Sequence, residues 1–346
     1  MKIPILNIYY MLVYAWDVLD EAESLRIQAE DCTQLVDLFA RVLHSGSESI
    51  LRRGLDRGYI CRHEALAGIR GKVDLSASIK ANVIRHAKAI CEFDELSHDV
   101  LHNRVLKSTI RRLLNVPDLS LELRDRLGET YHRLHQISEV GITEQVFRSV
   151  QLYRSNRSYR LLMDVCRLIH RAKLTTEEAG ETEFRDFFRD ERRMRRLFEA
   201  FVRNFYRREQ TVFRVSRTTL KWQKTTGSEQ SLSRLPRMQT DVTLTSADRV
   251  IVIDTKYVPK MLVEYWGKLS IRASHLYQLF AYLKNICAHI GAARPLVGVL
   301  LYPSAGANME FDFCLHGHQV KVCTLDLNRH WRQIEIELLR LIESTG

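Results

Sequence analysis

The sequence predicts an α/β (α+β) protein: a helical and β N-terminal domain over residues 1–155, then a mixed sheet flanked by helices over residues 156–346. Three observations predict it. Apolar residues recur at three-to-four spacing through much of the first half, alternating and β-branched runs take over beyond Thr211, and no apolar periodicity crosses the stretch around residue 155. A chain of 346 residues fits two domains, and 45% apolar content with only 15 Gly and 6 Pro excludes collagenous, low-complexity and generally disordered classes.

Each element follows from its pattern. Ile8, Met11, Leu12, Ala15, Trp16 and Leu19 mark one buried face of a helix over Asn7 to Leu19, and a second helix is expected from Thr33 to about Leu51. Short β-like pieces surround Gly68 and Gly71 between Tyr59 and Ala87, before helices return at Val100 to Leu114 and Leu119 to Ile137. Gly141-Ile142-Thr143 and Arg154-Ser155-Asn156-Arg157-Ser158 form the junction. Helices at Tyr159 to Ala172 and Glu191 to Glu209 flank an acidic, threonine-rich loop from Thr175 to Glu183; the second begins in an Arg-rich run from Arg185. Met238 to Thr245 alternates as a strand, Ser246-Ala247-Asp248 is a turn, and Arg249 to Lys256 is the β-branched run of a buried central strand. A helix from Ser274 to His289, strands at Leu296 to Tyr302, Phe311 to Leu315 and Gln319 to Leu325, and a helix from His330 to Ile342 follow. There is no internal repeat.

The chain carries 52 basic and 42 acidic side chains, a net +10 that calls for an anionic partner, nucleic acid first, with acidic proteins or lipid left open. Seven single cysteines without a Cys-x-x-Cys pair suit reduced, buried thiols. No apolar run nears the roughly 20 residues of a membrane span, and the N-terminus lacks a signal-peptide core and cleavage site, so a cytoplasmic location and no membrane partner are expected.

The informative chemistry lies in Met238-Gln239-Thr240-Asp241-Val242, a turn, and Val250-Ile251-Val252-Ile253-Asp254-Thr255-Lys256-Tyr257. Asp254 and Lys256 are two apart on a strand and leave the same face, and Asp241 reaches that spot across a hairpin. Converging carboxylates repel each other, and a hard divalent cation relieves the repulsion; Mg2+ suits one or two carboxylates completed by water and phosphate oxygens. The ammonium of Lys256 beside such an ion orients or deprotonates water and offsets phosphate charge, so the trio suits metal-assisted phosphodiester hydrolysis. A bare acid-x-Lys also suits a surface ion pair. The aliphatic strand before Asp254, the hairpin distance of Asp241, and Gln278 and Tyr282 at i, i+4 on the next helix favour the site.

This order resembles the PD-(D/E)xK nuclease superfamily and implies a restriction-endonuclease-like sheet; the Gln278-x-x-x-Tyr282 helix is similar to the RecB-like branch. Glu199, in Leu197-Phe198-Glu199-Ala200-Phe201-Val202, matches the superfamily's helical acid, and it equally suits the solvated face of an Arg-rich helix. The likeness extends to the McrC family, nuclease subunits of McrBC modification-dependent restriction systems. It is carried by Asn7-Ile8-Tyr9-Tyr10-Met11-Leu12-Val13-Tyr14-Ala15-Trp16, Gly68-Ile69-Arg70-Gly71-Lys72-Val73, Asn103-Arg104 with Lys107-Ser108-Thr109, Leu220-Lys221-Trp222, Leu235-Pro236-Arg237-Met238 and Leu276-Tyr277-Gln278-Leu279, in order along the chain.

The resemblance implies a DNA endonuclease subunit of a 5-methylcytosine-specific complex that cuts double-stranded DNA only with a hexameric McrB-like AAA+ GTPase. The N-terminal domain would enter the GTPase ring and stimulate GTP hydrolysis, and McrC–McrC dimerisation would accompany activity. Asp241 and Asp254 would ligate Mg2+, with a backbone carbonyl from Thr255. Lys256 would position the attacking water, Glu199 would add an outer carboxylate contact, and Gln278 and Tyr282 would orient the Lys-bearing strand or touch DNA. The strand reads Asp-Thr-Lys where other members can have Asp-Ala-Lys, and on strand alternation the Thr255 side chain should point away from the site.

Other features carry less. Gly68-Ile69-Arg70-Gly71-Lys72 lacks the upstream glycine and following Ser/Thr of a phosphate loop, so it is a turn or packing element and GTP belongs to the partner. His98 with His102, and Cys314 with His316 and His318, lack the remaining ligands of a zinc site. Tyr9, Tyr10, Tyr14 and Trp16 are expected in a buried aromatic helix. A stand-alone RecB-like nuclease and a non-catalytic GTPase-stimulating adaptor are the alternative functions.

Overall fold

The computed structural model describes residues 3–25, 34–173, 190–222, 226–258, 260–265, 267–290, 294–306 and 308–344. The loop expected over Thr175 to Glu183, the start of the Arg-rich run at Arg185, and Cys32 and Thr33 lie outside them. The chain divides into two compact units, Asp20–Phe184 and Met1–Leu19 with Arg185–Gly346, rather than near residue 155.

The chain opens with α1 (Ile5–Trp16), which ends where Asp17 takes a left-handed conformation. There follow α2 (Leu19–Ser24), α3 (Leu35–Arg53), β1 (Gly58–Leu66), β2 (Lys72–Val73), α4 (Leu75–Lys80), β3 (Ala89–Ser97), α5 (Leu101–Leu114), α6 (Leu121–Arg133), α7 (Glu144–Ser149) and α8 (Tyr159–Lys173). In the Asp20–Phe184 unit, α3, α5, α6 and α8 bury apolar stripes that include Leu38 and Leu43, Val105 and Ile110, Leu127, and Leu161 and Val165. β1 pairs antiparallel with β3 along its full length, from Gly58↔Ser97 to Leu66↔Ala89, and β2 takes the other edge of β3. Sequence patterning missed β3 and α4.

The Gly68–Lys72 segment is a turn feeding β2, as expected of a packing element. Gly71 has φ +66°, and a Cβ there would lie 2.3 Å from the Glu92 carbonyl oxygen. His98 and His102 serve structure: His98 Nδ1 lies 3.0 Å from the Leu55 carbonyl and its Nε2 accepts from Arg57, while His102 Nε2 lies 3.0 Å from Asp56 Oδ2. Among the described residues the thiols are free but not all buried, since Cys61 and Cys314 are exposed.

The other unit contains α9 (Glu191–Glu209), β4 (Arg214–Ser216), β5 (Thr219–Leu220), α10 (Glu229–Leu232), β6 (Met238–Gln239), β7 (Val242–Thr245), β8 (Val250–Thr255), β9 (Leu262–Tyr265), β10 (Lys268–Ile271), α11 (Ala273–Ile290), β11 (Leu296–Ser304), β12 (Glu310–Leu315), β13 (His318–Asp326) and α12 (Trp331–Glu343). Six strands form a mixed sheet in the order β12-β13-β11-β8-β7-β4, with β8–β11 and β11–β13 parallel and the other pairs antiparallel. Burying each aliphatic side chain in its centre contributes roughly 1.5–3 kcal/mol.

α1 belongs to this unit for a physical reason. Tyr14 packs on Phe201, Phe205 and Trp331 at ring distances of 6.0, 5.5 and 5.6 Å, and Tyr10 stacks on Trp331 at 4.6 Å. Asn7 donates to the carbonyls of Leu327 and Arg329, and Asn204 donates to those of Tyr14 and Ala15 at the helix end. A junction read from loop composition cannot register such long-range contacts. Among the described residues no helix is long and apolar enough to cross a membrane.

Gly71→Ala should destabilise the protein by about 2 kcal/mol, from the left-handed backbone and the clash with the β3 carbonyl, whereas Gly68→Ala, with open space around it, should cost under about 0.5 kcal/mol. Urea unfolding midpoints of the two variants check this.

Candidate active site

β8 is the central strand. It pairs with β7 from Val242↔Ile253 to Thr245↔Val250 and with β11 from Leu296↔Val250 to Leu301↔Thr255, and all six of its residues are buried. Val250 and Val252 share an apolar cluster with Leu300 and Tyr302 of β11 and Leu279, Tyr282, Leu283 and Ile286 of α11. Two-residue alternation puts Asp254 on that same face, so its carboxylate enters apolar ground at the end of the strand, 1% exposed.

Asp241 approaches from a bend, not from a continuous strand. The expected Met238 to Thr245 strand is broken because β6 pairs with β5, while β7 joins the main sheet from Val242 onward. Thr240 fixes the bend: its N–H donates to the Thr218 carbonyl at 3.0 Å and its hydroxyl bonds that of Thr243 at 2.8 Å. Continuing the β7–β8 register by one residue sets Asp241 opposite Asp254. Asp241 Oδ2 accepts from both the N–H and the hydroxyl of Thr255, each at 2.8 Å. The Thr255 side chain therefore does not point away into irrelevance.

Lys256 Nζ lies 2.8 Å from Asp254 Oδ2 as an ion pair and donates to Gln278 Oε1 at 2.8 Å. Gln278 Nε2 in turn donates to the Tyr282 hydroxyl at 2.6 Å. Thus α11 holds the lysine through an i, i+4 pair. Neither Asp254 oxygen has a hydrogen bond of good geometry, and the Asp241 carboxylate faces it. Burial pushes the Asp254 carboxyl up to about 7; Lys256 opposes the shift and the facing Asp241 adds to it.

Glu199 projects from α9 but is already paired. Its Oε1 receives Arg203 at 2.9 Å and Arg217 at 3.1 Å, and Arg203 also reaches the Asp241 backbone carbonyl at 3.5 Å. Glu199 thus reaches the Asp241 backbone through Arg203. Among the described residues no group of three or more His, Cys, Asp or Glu side chains is placed to hold a metal ion. The oxygen donors here are two carboxylates, a sparse set that suits Mg2+, which keeps several waters.

A family model described as McrBC 5-methylcytosine restriction system component matches residues 7–303. The type IV methyl-directed restriction enzyme EcoKMcrBC of Escherichia coli (strain K12) is 33% identical over 341 residues, covering 99% of this chain and 97% of that protein. The chain belongs to the McrBC 5-methylcytosine restriction system component family. Its fold is similar to that of a chain in a Thermococcus gammatolerans assembly of McrB AAA+ hexamers with bound McrC, with a TM-score of 0.59 and 19% identity over 99% of this chain and 76% of that one. The family match contains all seven residues singled out from the sequence: Glu199, Asp241, Asp254, Thr255, Lys256, Gln278 and Tyr282.

Sequence reasoning missed several residues around this site. His275 stands one turn before Gln278 on α11, and its Nδ1 lies 2.8 Å from the hydroxyl of Tyr302 on β11. Burial, with Lys256, Arg272 and Arg195 nearby, pushes His275 down to about 4, so it is neutral at neutral pH. Burial also raises the Tyr302 phenol, and the charge of Asp254 adds to it. Arg272 has a buried Nε without a hydrogen-bond partner. The i, i+3 spacing of His275 to Gln278 was the available signal.

Because Asp254 ionises in the fold only near 7, against 3.8 when unfolded, the folded chain holds an extra proton between those values and loses stability as pH rises through them. Asp254→Asn should therefore raise the melting temperature by a few degrees at pH 8, with the gain shrinking toward pH 4, as read by thermal unfolding across pH.

Proposed function

We propose that the chain is the Mg2+-dependent DNA endonuclease subunit of a 5-methylcytosine-specific restriction complex, activated by an McrB-like AAA+ GTPase and stimulating that GTPase. The observation that carries this reading is the buried Asp254 carboxylate, neither oxygen in a hydrogen bond of good geometry, beside Asp241 and Lys256. A buried carboxylate without a hydrogen bond is costly, and a hard cation offsets that cost. The residues present therefore fit Mg2+, held by Asp241 and Asp254 with a carbonyl from Thr255. When bound, the ion polarises the phosphoryl group and lowers the pKa of a coordinated water.

The protein's own groups do the rest. Lys256, kept at the site by Gln278, orients the attacking water and offsets charge on the scissile phosphate. Tyr282 fixes Gln278, and Glu199 anchors the Arg203 side chain that meets the Asp241 backbone. The net charge of +10 favours double-stranded DNA as the substrate. GTP binding falls to the partner, since Gly71 packs against β3 rather than cradling phosphate. Contact with that partner is assigned to the separately compact Asp20–Phe184 unit, and the active complex contains a pair of these chains.

With an McrB-type GTPase, GTP, Mg2+ and methylated DNA, Asp254→Ala and Lys256→Ala should each cut at least about 1,000-fold more slowly, while stimulation of GTP hydrolysis stays within about twofold. Cleavage at the full rate by either variant contradicts the assignment. Since a protonated Asp254 cannot hold a cation, the half-saturating Mg2+ concentration should rise as pH falls below about 7 and level off above it. Cleavage titrations with Mg2+ between pH 6 and pH 8.5 read this.

A further inference from the structure

We infer that Thr255 is a positioning residue for the carboxylate of Asp241, using its backbone N–H and its hydroxyl together to hold Oδ2 and leave Oδ1 as the oxygen presented to a divalent cation. This rests on the metal-site reading above and adds a side chain that strand alternation alone directs away from the site.

The geometry comes from where the β7–β8 ladder ends. Lys256 N–H turns away from β7 and donates to the Leu301 carbonyl on β11, so the Thr255 N–H faces the β7 side. The ladder stops at Val242↔Ile253, and the backbone beyond it is drawn off toward β5, where Thr240 N–H meets the Thr218 carbonyl. The Asp241 side chain takes the vacated position, and Oδ2 accepts the orphaned N–H at 2.8 Å. The Thr255 hydroxyl joins it from the same residue, also at 2.8 Å. Two donors on one oxygen fix both the position and the rotation of the carboxylate. Thr255 is itself buried, and its β-branch restricts its rotamer, so the hydroxyl is held before any ion arrives. Asp254 receives no backbone N–H or hydroxyl of this kind; it meets only the Lys256 ammonium and faces this preset group. The two acids thus differ: the Asp241 carboxylate is locked by Thr255, and that of Asp254 is not.

Val replaces Thr with the same branch and keeps the backbone N–H, so it removes only the hydroxyl donor; Ser returns the donor without the methyl group. Mn2+ binding to the full-length chain, read from the free-ion signal in electron paramagnetic resonance, should weaken by about tenfold in Thr255→Val, the scale of one hydrogen bond to a charged group, and stay within about threefold of wild type in Thr255→Ser. With the GTPase partner, the half-saturating Mg2+ concentration should shift by a similar factor while the rate at saturating Mg2+ changes less than about threefold. Thr255→Ala is read in the same way should the valine variant fold poorly. Wild-type Mn2+ affinity in Thr255→Val or Thr255→Ala, with binding lost in Asp241→Ala, overturns the Thr255 assignment alone. Unchanged binding in Asp241→Ala, or none in wild type, overturns the metal reading and the Thr255 assignment with it.

Discussion

A single buried carboxylate governs this site. Asp254 ends a strand of four aliphatic residues whose packing against α11 and β11 makes the surroundings apolar, and there it faces a second acid, Asp241, and an ammonium, Lys256. The sheet that stabilises the unit also desolvates the charge. Burial of Val250 and Val252 and the cost of ionising Asp254 have one origin, and the local instability is the counterpart expected of the cation site we propose.

The supports around the trio divide the work. α11 secures the lysine through Gln278 and Tyr282, so that Nζ stays beside Asp254 at the strand end. α9 contributes less directly, as Glu199 is spent on Arg203 and Arg217, and Arg203 touches the backbone of Asp241. β5 acts from a distance by drawing β6 out of the main sheet, and the resulting bend turns Asp241 toward β8. His275 and Tyr302 form a neutral pair beside these charges, with the imidazole kept unprotonated by burial and by the cations around it.

Patterns of local origin were legible in the sequence. The β-branched run at Val250, the alternation of Asp254 and Lys256, and the i, i+4 spacing of Gln278 and Tyr282 each depend on a single element's period, and each matches its structural counterpart. What was not legible depends on pairing between distant segments. The break at Thr240 comes from the two-residue strand at Thr219, too short to leave a pattern, and the hydroxyl contact of Thr255 follows from that break. The assignment of α1 to the C-terminal unit rests on Tyr10 and Tyr14 meeting Trp331, more than 300 residues away, whereas a junction near residue 155 was drawn from loop residues alone.

Membership of the McrBC restriction family accords with a chain whose chemistry gathers at one end of a mixed sheet and whose other unit is compact in itself. The claim on which the account turns is that a cation sits between two specific acids. Anomalous diffraction from crystals of the chain soaked in Mn2+ tests it most directly. The account predicts a single strong peak within about 2.0–2.4 Å of a carboxylate oxygen of Asp241 and of Asp254; a peak elsewhere, or none there at saturating Mn2+ above pH 7, would contradict it.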